Sequence, residues 1–269
     1  MCTLSLYFRE FDGYPLVVAA NRDEYYARPS AAPQVLSTGP LIFGGRDVQA
    51  GGTWLGVNEH GLLVAILNRR IDATDDRFNK RSRGLLCLEV LNTQDPNRAL
   101  AILEREPAHA YLPFNLLVSN DESAYVAYNE ADGIGIVPLD HGLHVLSNTS
   151  VFDPRSEKMD TAYGLFLTAG QQAWENPDLF FRDRPLPNRA PAEGKPPCLT
   201  AFAQALASHR MHGAGADPRG AICVHAERYG TVSSSIIVLA GREKRFDYYH
   251  APGAPCRSSF EKCASPEIR

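Results

Sequence analysis

The sequence predicts an α+β fold in which two antiparallel β-sheets stack on each other and are covered by helices on their outer faces (an αββα sandwich). Two features of the chain predict it. Groups of apparent hairpins alternate with pairs of helical patterns, an order that favours antiparallel sheets with helices to the outside. Some apparent strands, above all residues 62–67, are apolar at every position, which is typical of strands covered on both faces.

Length and composition are those of a globular protein. The chain has 269 residues, 44% of them hydrophobic and 22% charged, and it is long enough to bury a core without metals or disulfides. We expect a single domain over residues 1–269. A net charge of −4 argues against a nucleic-acid partner or general membrane-surface binding. Since no run of 18 apolar residues and no signal-peptide pattern is present, we expect a cytoplasmic protein without an integral membrane segment.

The first predicted element is a β-hairpin. Residues 2–8 form an apolar strand, Asp12-Gly13 forms the turn, and residues 14–20 return. A hairpin of this length brings the end of its second strand back beside the start of the first. It therefore predicts that three polar residues lie next to Cys2, namely Asn21, Arg22 and Asp23.

Cys2 directly follows the initiator methionine, and this position suggests a chemical role. We expect Met1 to be removed, which would leave a free α-amine beside the thiol. That amine titrates near pH ~8 and could accept the thiol proton, so that the nucleophile carries its own base. The alternative is that Cys2 is a small buried hydrophobic residue.

Strands and helices follow in groups. Residues 22–33 are predicted to be irregular because of Arg28-Pro29-Ser30, and a charged loop is expected from Arg69 to Arg83. The predicted strands are 41–43, a hairpin pair around Asn58–Gly61, and a meander of 114–118, 125–128, 134–138 and 143–148. The predicted helices are 84–91, with Leu85, Leu86, Val90 and Leu91 on one side, 95–106, 156–174 and 199–209.

The last third of the chain is predicted to hold a surface loop and final strands. Five prolines at about residues 183–197 indicate the loop. Residues 221–225 and 233–239 are expected to form a hairpin around 228–230, followed by a strand at 245–249. The tail from Pro252 is expected to be loosely ordered.

The cysteines and histidines do not predict a metal site. The six cysteines at 2, 87, 198, 223, 256 and 263 lack CxxC spacing, so neither zinc binding nor a disulfide framework is indicated. His209-x-x-His212 and Cys223-x-His225 could suggest metal or haem ligands, but two ligands are too few. We expect no metal and no cofactor.

An ordered set of motifs resembles the NRDE family, which includes the transport and Golgi organisation 2 proteins. The motifs span nearly the whole chain in the family's order, with one departure at Val232, where members often carry arginine. They are Met1-Cys2, Asn21-Arg22-Asp23-Glu24, residues 51–56 (GGTWLG), Phe114-Asn115-Leu116, Ser147-Asn148 and Tyr229-Gly230-Thr231.

A more distant resemblance is to the N-terminal-cysteine amidohydrolases, the bile salt hydrolase and penicillin V acylase group, which share the αββα fold. It is carried by residues 21–23, 57–68 and 145–148. It implies that Cys2 is the nucleophile, that Asp23 orients its amine, and that Asn148 and the region of Asn68 supply oxyanion-hole donors. Those enzymes keep an arginine where this chain has Ala20, and Arg22 would point the same way on a strand.

Each of these residues also has a structural interpretation. Arg22 and Asp23 could form an ion pair that closes the hairpin, and Asn148 could be a turn former at a strand end. Trp54 could be a wall of the core or of a pocket. As substrate-binding residues we predict Asn21, Trp54, Asn115 and Tyr229.

Two functions follow from these resemblances. The first is a hydrolase of non-peptide C–N bonds, or an acyltransferase, that attacks a small-molecule amide or thioester through Cys2. The second is a non-catalytic protein of the same fold that carries an acyl-lipid or haem ligand, as the transport and Golgi organisation 2 resemblance implies.

Overall fold

The computed structural model describes residues 3–69, 80–130, 133–149, 156–175, 197–211, 217–264 and 266–269. Its strands form a six-stranded and a seven-stranded antiparallel sheet. The expected α+β architecture of two antiparallel sheets with helices outside them is thereby confirmed.

The six-stranded sheet contains the first hairpin at its centre. Its strand order is β10-β1-β2-β11-β12-β13, so the hairpin β1–β2 is flanked by two strands from much later in the chain. The bounds are β1 Thr3–Phe11, β2 Tyr14–Tyr25, β10 Gly142–Ser147, β11 Tyr229–Ala240, β12 Arg245–Ala251 and β13 Glu261–Ala264.

The seven-stranded sheet follows the chain without a crossover, each strand pairing with the next. Its third connection is the predicted hairpin around residues 58–61, and residues 62–67 are at most 3% exposed, as expected for a strand covered on both faces. The bounds are β3 Ser30–Thr38, β4 Leu41–Asp47, β5 Leu55–Asn58, β6 Leu63–Asn68, β7 Phe114–Ser119, β8 Ala124–Glu130 and β9 Gly133–Pro138.

The helices are α1 Arg83–Leu91, α2 Pro96–Leu103, α3 Glu157–Glu175 and α4 Pro197–Leu206. The N-termini of α1 and α2 are capped by the side chains of Ser82 and Asp95, which accept hydrogen bonds from the backbone N–H groups of Leu85 and Arg98. One apolar cluster joins the two sheets to α1 and α2, and a second joins the other face of the six-stranded sheet to α3 and α4.

The first hairpin contributes to both clusters by strict alternation. Leu4 and Leu6 belong to the cluster between the sheets, whereas Tyr7 and Val17 belong to the cluster under α3 and α4. Each fully buried side chain of this kind contributes about 1.5–3 kcal/mol of burial free energy. The two clusters therefore fix which face of β2 each polar residue at its end must occupy.

Several expectations about elements were wrong at the end of β2, in β3 and in α1. Residues 22–33 were expected to be irregular, but residues 22–25 complete β2 and residues 30–33 begin β3. Strand β3 lies at the edge of its sheet, and its largely exposed residues give no hydrophobic period. Leu85 was expected on the buried side of α1 but is 48% exposed, and Cys87 is buried there instead.

Further corrections concern the six-stranded sheet. Strand β10 does not end a meander but pairs with β1 in the other sheet. The expected hairpin around residues 228–230 is present only in part: residues 221–225 form no strand, and an isolated antiparallel bridge joins His225 to Gly230. Val224 exchanges hydrogen bonds with Thr231 beside it, whereas β11 pairs as a strand with β2 and β12. The tail from Pro252 is ordered where it adds β13 to the sheet edge. The expected loops at 69–83 and 183–197 fall mostly outside the described residues.

Candidate functional site

The start of the described chain lies in β1, between β10 and β2 of the six-stranded sheet. Thr3 pairs with Asn21 of β2 on one side and with Ser147 of β10 on the other. Neighbouring strands are about 4.8 Å apart, so the polar ends of β2 and β10 both adjoin this point. Cys2, the predicted nucleophile, lies outside the described residues.

Asp23 is held as a fully buried carboxylate. Its side chain has 0% exposure, and Thr231 Oγ1 donates a hydrogen bond of 2.6 Å to Oδ1. Lys158 Nζ, on α3, lies 3.9 Å from Oδ2 and is itself only 7% exposed. Lys158 also donates to the Arg219 carbonyl oxygen at 3.3 Å. The carboxylate is therefore fixed in orientation, and a cation from another element balances its charge.

The side chain of Asn21 connects β2 by hydrogen bonds to the end of α4, to Ile222 and to β11. Both of its amide hydrogens are donated to backbone carbonyls, those of Leu206 at the end of α4 and of Ile222, at 2.9 Å each. Its Oδ1 accepts from Ser234 Oγ at 2.6 Å. Because its donors are all used within the protein, the geometry favours a structural role over the predicted substrate contact.

Three buried polar atoms lie on the segments that meet near the end of β10. Thr3 Oγ1, Asn115 Oδ1 and Asn148 Oδ1 have no hydrogen-bond partner within the part of the chain that the structure describes. Asn115 Nδ2 donates to the carbonyl oxygens of Ser147 and Thr149, at 3.1 and 2.9 Å, which ties β7 to the end of β10. A buried polar atom without a partner costs about 1–3 kcal/mol. Buried polar atoms without a partner call for an explanation, such as a polar group that binds there.

Arg22 faces the opposite side of β2 from Asp23. Its guanidinium lies 4.2 Å from the centre of the Trp54 ring, its Nη1 donates to Ser30 Oγ at 3.2 Å, and its Nη2 is 4.0 Å from Glu24 Oε2. Burial lowers the pKa of this arginine, although nearby Glu24 raises it. The expected alternative, an Arg22–Asp23 ion pair, is wrong, because successive side chains on a strand point to opposite faces.

Arg22, Trp54 and Asn68 line one cavity of ≈ 240 Å³. Asn68 comes from the end of β6, and Trp54 is held against Gly45, where an added Cβ would lie 2.3 Å from the indole ring. Of the predicted site residues, these three share the cavity wall.

The cavity is rich in cations. Among the described residues that line it are five cationic side chains and two carboxylates. Asp47 is held by Arg28, whose Nη2 lies 2.7 Å from its Oδ2; burial alone would raise the pKa of Asp47, but this hydrogen bond brings it below its usual value. The lining charges are Arg22, Arg28, Lys80, Arg81, Arg83, Glu24 and Asp47.

Tyr229, the first residue of β11, is not among the residues that line this cavity. It pairs with Tyr25, and the two rings meet edge to face at 5.4 Å. The predicted residues thus fall into three sets: Arg22, Trp54 and Asn68 line the cavity, Asn115 and Asn148 meet at the end of β10, and Asn21 and Asp23 lie on the face of β2 opposite Arg22, with Asn21 directly beside Thr3. Lys158 was missed because nothing in its local sequence marks it as a partner of a residue 135 positions away.

Comparison with known proteins identifies relatives over most of the chain. The family model of Transport and Golgi organisation 2 matches residues 1–250. The Transport and Golgi organization protein 2 homolog of Homo sapiens is 28% identical over 244 residues, which cover 85% of this chain and 83% of that protein.

Solved structures with a similar fold include an acid amidase orthologue and an acylase. The Caenorhabditis elegans orthologue of N-acylethanolamine-hydrolyzing acid amidase superposes with a TM-score of 0.56 at 15% identity, over 96% of this chain and 98% of that one. Penicillin V acylase from Agrobacterium tumefaciens gives a TM-score of 0.51 at 14% identity, over 93% of this chain and 83% of that one. At these identities the likeness concerns the fold alone. Within the described residues, no helix is long and apolar enough to cross a membrane.

Proposed function

The chain belongs to the Transport and Golgi organisation 2 family, and from that premise we propose that it is a cytoplasmic cysteine amidohydrolase or acyltransferase, formed by a single domain, whose nucleophile is Cys2. The substrate would be a small-molecule amide or thioester. The observation that carries the proposal is the set of buried polar atoms that have no partner among the described residues, Thr3 Oγ1, Asn115 Oδ1 and Asn148 Oδ1, on segments that meet beside Thr3.

Chain connectivity supports the proposal. Thr3, the residue that follows Cys2 in the sequence, pairs with Ser147 of β10. The side chain of Asn148, next along the chain, is only 6% exposed. An amide side chain there can donate to a developing oxyanion from Nδ2 and accept a substrate N–H at Oδ1.

The proposed reaction needs no group beyond those of the chain, the substrate and water. The free α-amine of Cys2 takes the thiol proton, and the thiolate attacks the carbonyl carbon to give a tetrahedral oxyanion. Collapse breaks the C–N or C–S bond, and the α-ammonium returns its proton to the leaving group. Water, deprotonated by the amine, then hydrolyses the thioester. Asp23 would orient the amine, and Asn148 would donate to the oxyanion.

The experiment is intact-mass analysis with an activated acyl ester as probe. We expect the purified protein to lack Met1 and to gain one acyl group, which Cys2→Ala abolishes and Cys263→Ala, at an exposed cysteine elsewhere, leaves unchanged. Asn148→Ala should slow amide turnover on the order of 10²-fold or more with little loss of stability. Retention of Met1, or equal acylation of Cys2→Ala, contradicts the proposal.

The cationic cavity favours a second candidate function, a carrier of an acidic acyl-lipid or of haem. Five cations against two carboxylates would attract a carboxylate group of such a ligand. Arg81 is 53% exposed at the cavity and pairs with Glu89 and Glu106. Arg98, 64% exposed beside Asp95, offers a matched control outside the cavity.

The carrier is tested by titrating a long-chain fatty acid and, separately, haem. Binding that Arg81→Gln weakens, that Arg98→Gln leaves unchanged, and that survives in Cys2→Ala would support it. Binding that is equal in both arginine variants would contradict a role for the cavity.

A further inference from the structure

Four potential metal ligands converge from three separate segments, outside the groups described above. His209 follows α4, Cys223 and His225 precede β11, and Cys256 lies between β12 and β13. Their ligand atoms all lie within 4.8 Å of one another. Each short motif supplies too few ligands by itself, which is why the sequence did not predict a site; the fold supplies the others.

We propose that His209, Cys223, His225 and Cys256 bind one zinc ion in a tetrahedral Cys₂His₂ site. In such a site, with Zn–S near 2.3 Å and Zn–N near 2.0–2.1 Å, two sulfurs lie about 3.8 Å apart and a sulfur and a nitrogen about 3.5 Å apart. The Sγ atoms of Cys223 and Cys256 are 3.7 Å apart, and His225 Nε2 lies 3.6 Å from the first and 3.1 Å from the second. These three atoms already have nearly the spacing that the ion requires.

The charge of the site also fits its surroundings. Cys223 is 1% exposed and Cys256 is half-buried. Binding of Zn²⁺ releases the two thiol protons, and two thiolates with two neutral imidazoles then leave the site without net charge. A neutral site avoids the cost of placing a net charge in a buried position. Soft sulfur with imidazole in a tetrahedral arrangement favours zinc over magnesium or calcium.

Backbone hydrogen bonds hold the ligand-bearing segments in place. Cys223 N–H donates to the carbonyl oxygen of Ser208, the neighbour of His209, at 2.9 Å. Val224, between the two ligands Cys223 and His225, donates its N–H to Thr231 Oγ1 at 2.9 Å. A site that is held together without the ion loses little conformational entropy when the ion binds.

A disulfide between Cys223 and Cys256 is the competing interpretation. A bonded pair of sulfurs is about 2.05 Å apart, whereas these lie at 3.7 Å. A disulfide would also leave the convergence of the two imidazoles without a reason; the rings of His209 and His225 are only 5.2 Å apart between centres.

The test is metal analysis of the full chain purified without added metal, followed by titration of the metal-free protein with Co²⁺. We expect one zinc per chain, and cobalt spectra with thiolate charge-transfer bands and the intense d–d bands of tetrahedral coordination. Cys256→Ser should abolish the charge-transfer contribution of that sulfur. It should also weaken zinc binding by roughly 10–100-fold or more, since losing even a residue that only supports a ligand costs that much.

Two further variants keep the result interpretable. His209 is exposed, so His209→Ala should keep the fold while weakening zinc binding. Cys263→Ser changes an exposed thiol whose Sγ donates to the Tyr248 carbonyl oxygen instead, and it should bind zinc like the unchanged protein. Absence of stoichiometric zinc and of tetrahedral cobalt spectra, equal binding by Cys256→Ser, or a mass two hydrogens lower from a Cys223–Cys256 disulfide would each overturn the proposal.

Discussion

Removal of one charge from the buried pair of Asp23 and Lys158 should lower the free energy of unfolding strongly. Replacing Asp23 by Asn keeps the shape of the side chain and its ability to accept from Thr231, but removes the charge. At the observed separation of 3.9 Å, with an effective dielectric constant near 20, the attraction that is lost is about 4 kcal/mol. Lys158, 7% exposed, would remain as a buried cation without this counter-ion, so we expect a loss of about 3–5 kcal/mol in the free energy of unfolding.

The assay is urea unfolding followed by circular dichroism for Asp23→Asn, Lys158→Met and the double variant. Since the double variant removes both charges, it should be clearly more stable than the sum of the single losses predicts. Arg81 and Glu89 provide a matched control: their charges are also 3.9 Å apart, but the side chains are 53% and 48% exposed. Glu89→Gln should therefore cost less than about 1 kcal/mol. Strictly additive losses at Asp23 and Lys158, or equal losses at Asp23 and Glu89, would refute the reasoning.

Other predictions concern acid stability and the wall of the cavity. Burial lowers the pKa of His250 from 6.5 to about 4. The unfolded chain therefore binds a proton at this residue before the folded protein does, and between pH 6.5 and pH 4 the free energy of unfolding should fall by about 3 kcal/mol. The fall measured in urea unfolding against pH should be smaller in His250→Gln, and an unchanged profile would contradict this. Gly45→Ala would bring a Cβ to 2.3 Å from the Trp54 ring and should lower the melting temperature and quench or shift tryptophan fluorescence. Its control, Gly164→Ala in α3, meets no atom within 4 Å and should stabilise by about 0.5–1 kcal/mol; a stabilised Gly45→Ala would show that the ring is free to move.

Local patterns predicted much of the fold. The Asp12-Gly13 turn, the uniformly apolar residues 62–67 and the Asp95-Pro96 helix start each depend on neighbours in sequence, and the structure confirms them. The pairing of strands was harder to predict. The hydrophobic residues of β10 indicate that it is buried, but they do not indicate that it pairs with β1. An edge strand such as β3, largely exposed, gives no periodic signal at all.

In the candidate site, too, local features could be predicted from the sequence, whereas contacts between distant segments could not. The predicted hairpin is present and brings Asn21 opposite Thr3, whereas the expected contact of Asn21, Arg22 and Asp23 with Cys2 involves a residue outside the described part of the chain. Alternation along β2 then separates them, which sends Arg22 to the cavity and Asp23 to Lys158. Partners that arrive from distant segments cannot be read from local sequence. Whether Cys2, Asp23 and Asn148 act together stays a prediction.

The position of the first hairpin also has a consequence for how the protein reaches its native state. Strands β1 and β2 can meet early, since a hairpin forms in about 1–10 μs. Their outer partners come from far along the chain: Thr3 pairs with Ser147, and Asn21 with Ser234. Such distant pairings are slow, and until they form the hairpin has two open edges that other chains can extend. Refolding yield should therefore fall steeply as protein concentration rises, because both edges of the hairpin that carries the candidate site stay uncovered until these distant strands pair.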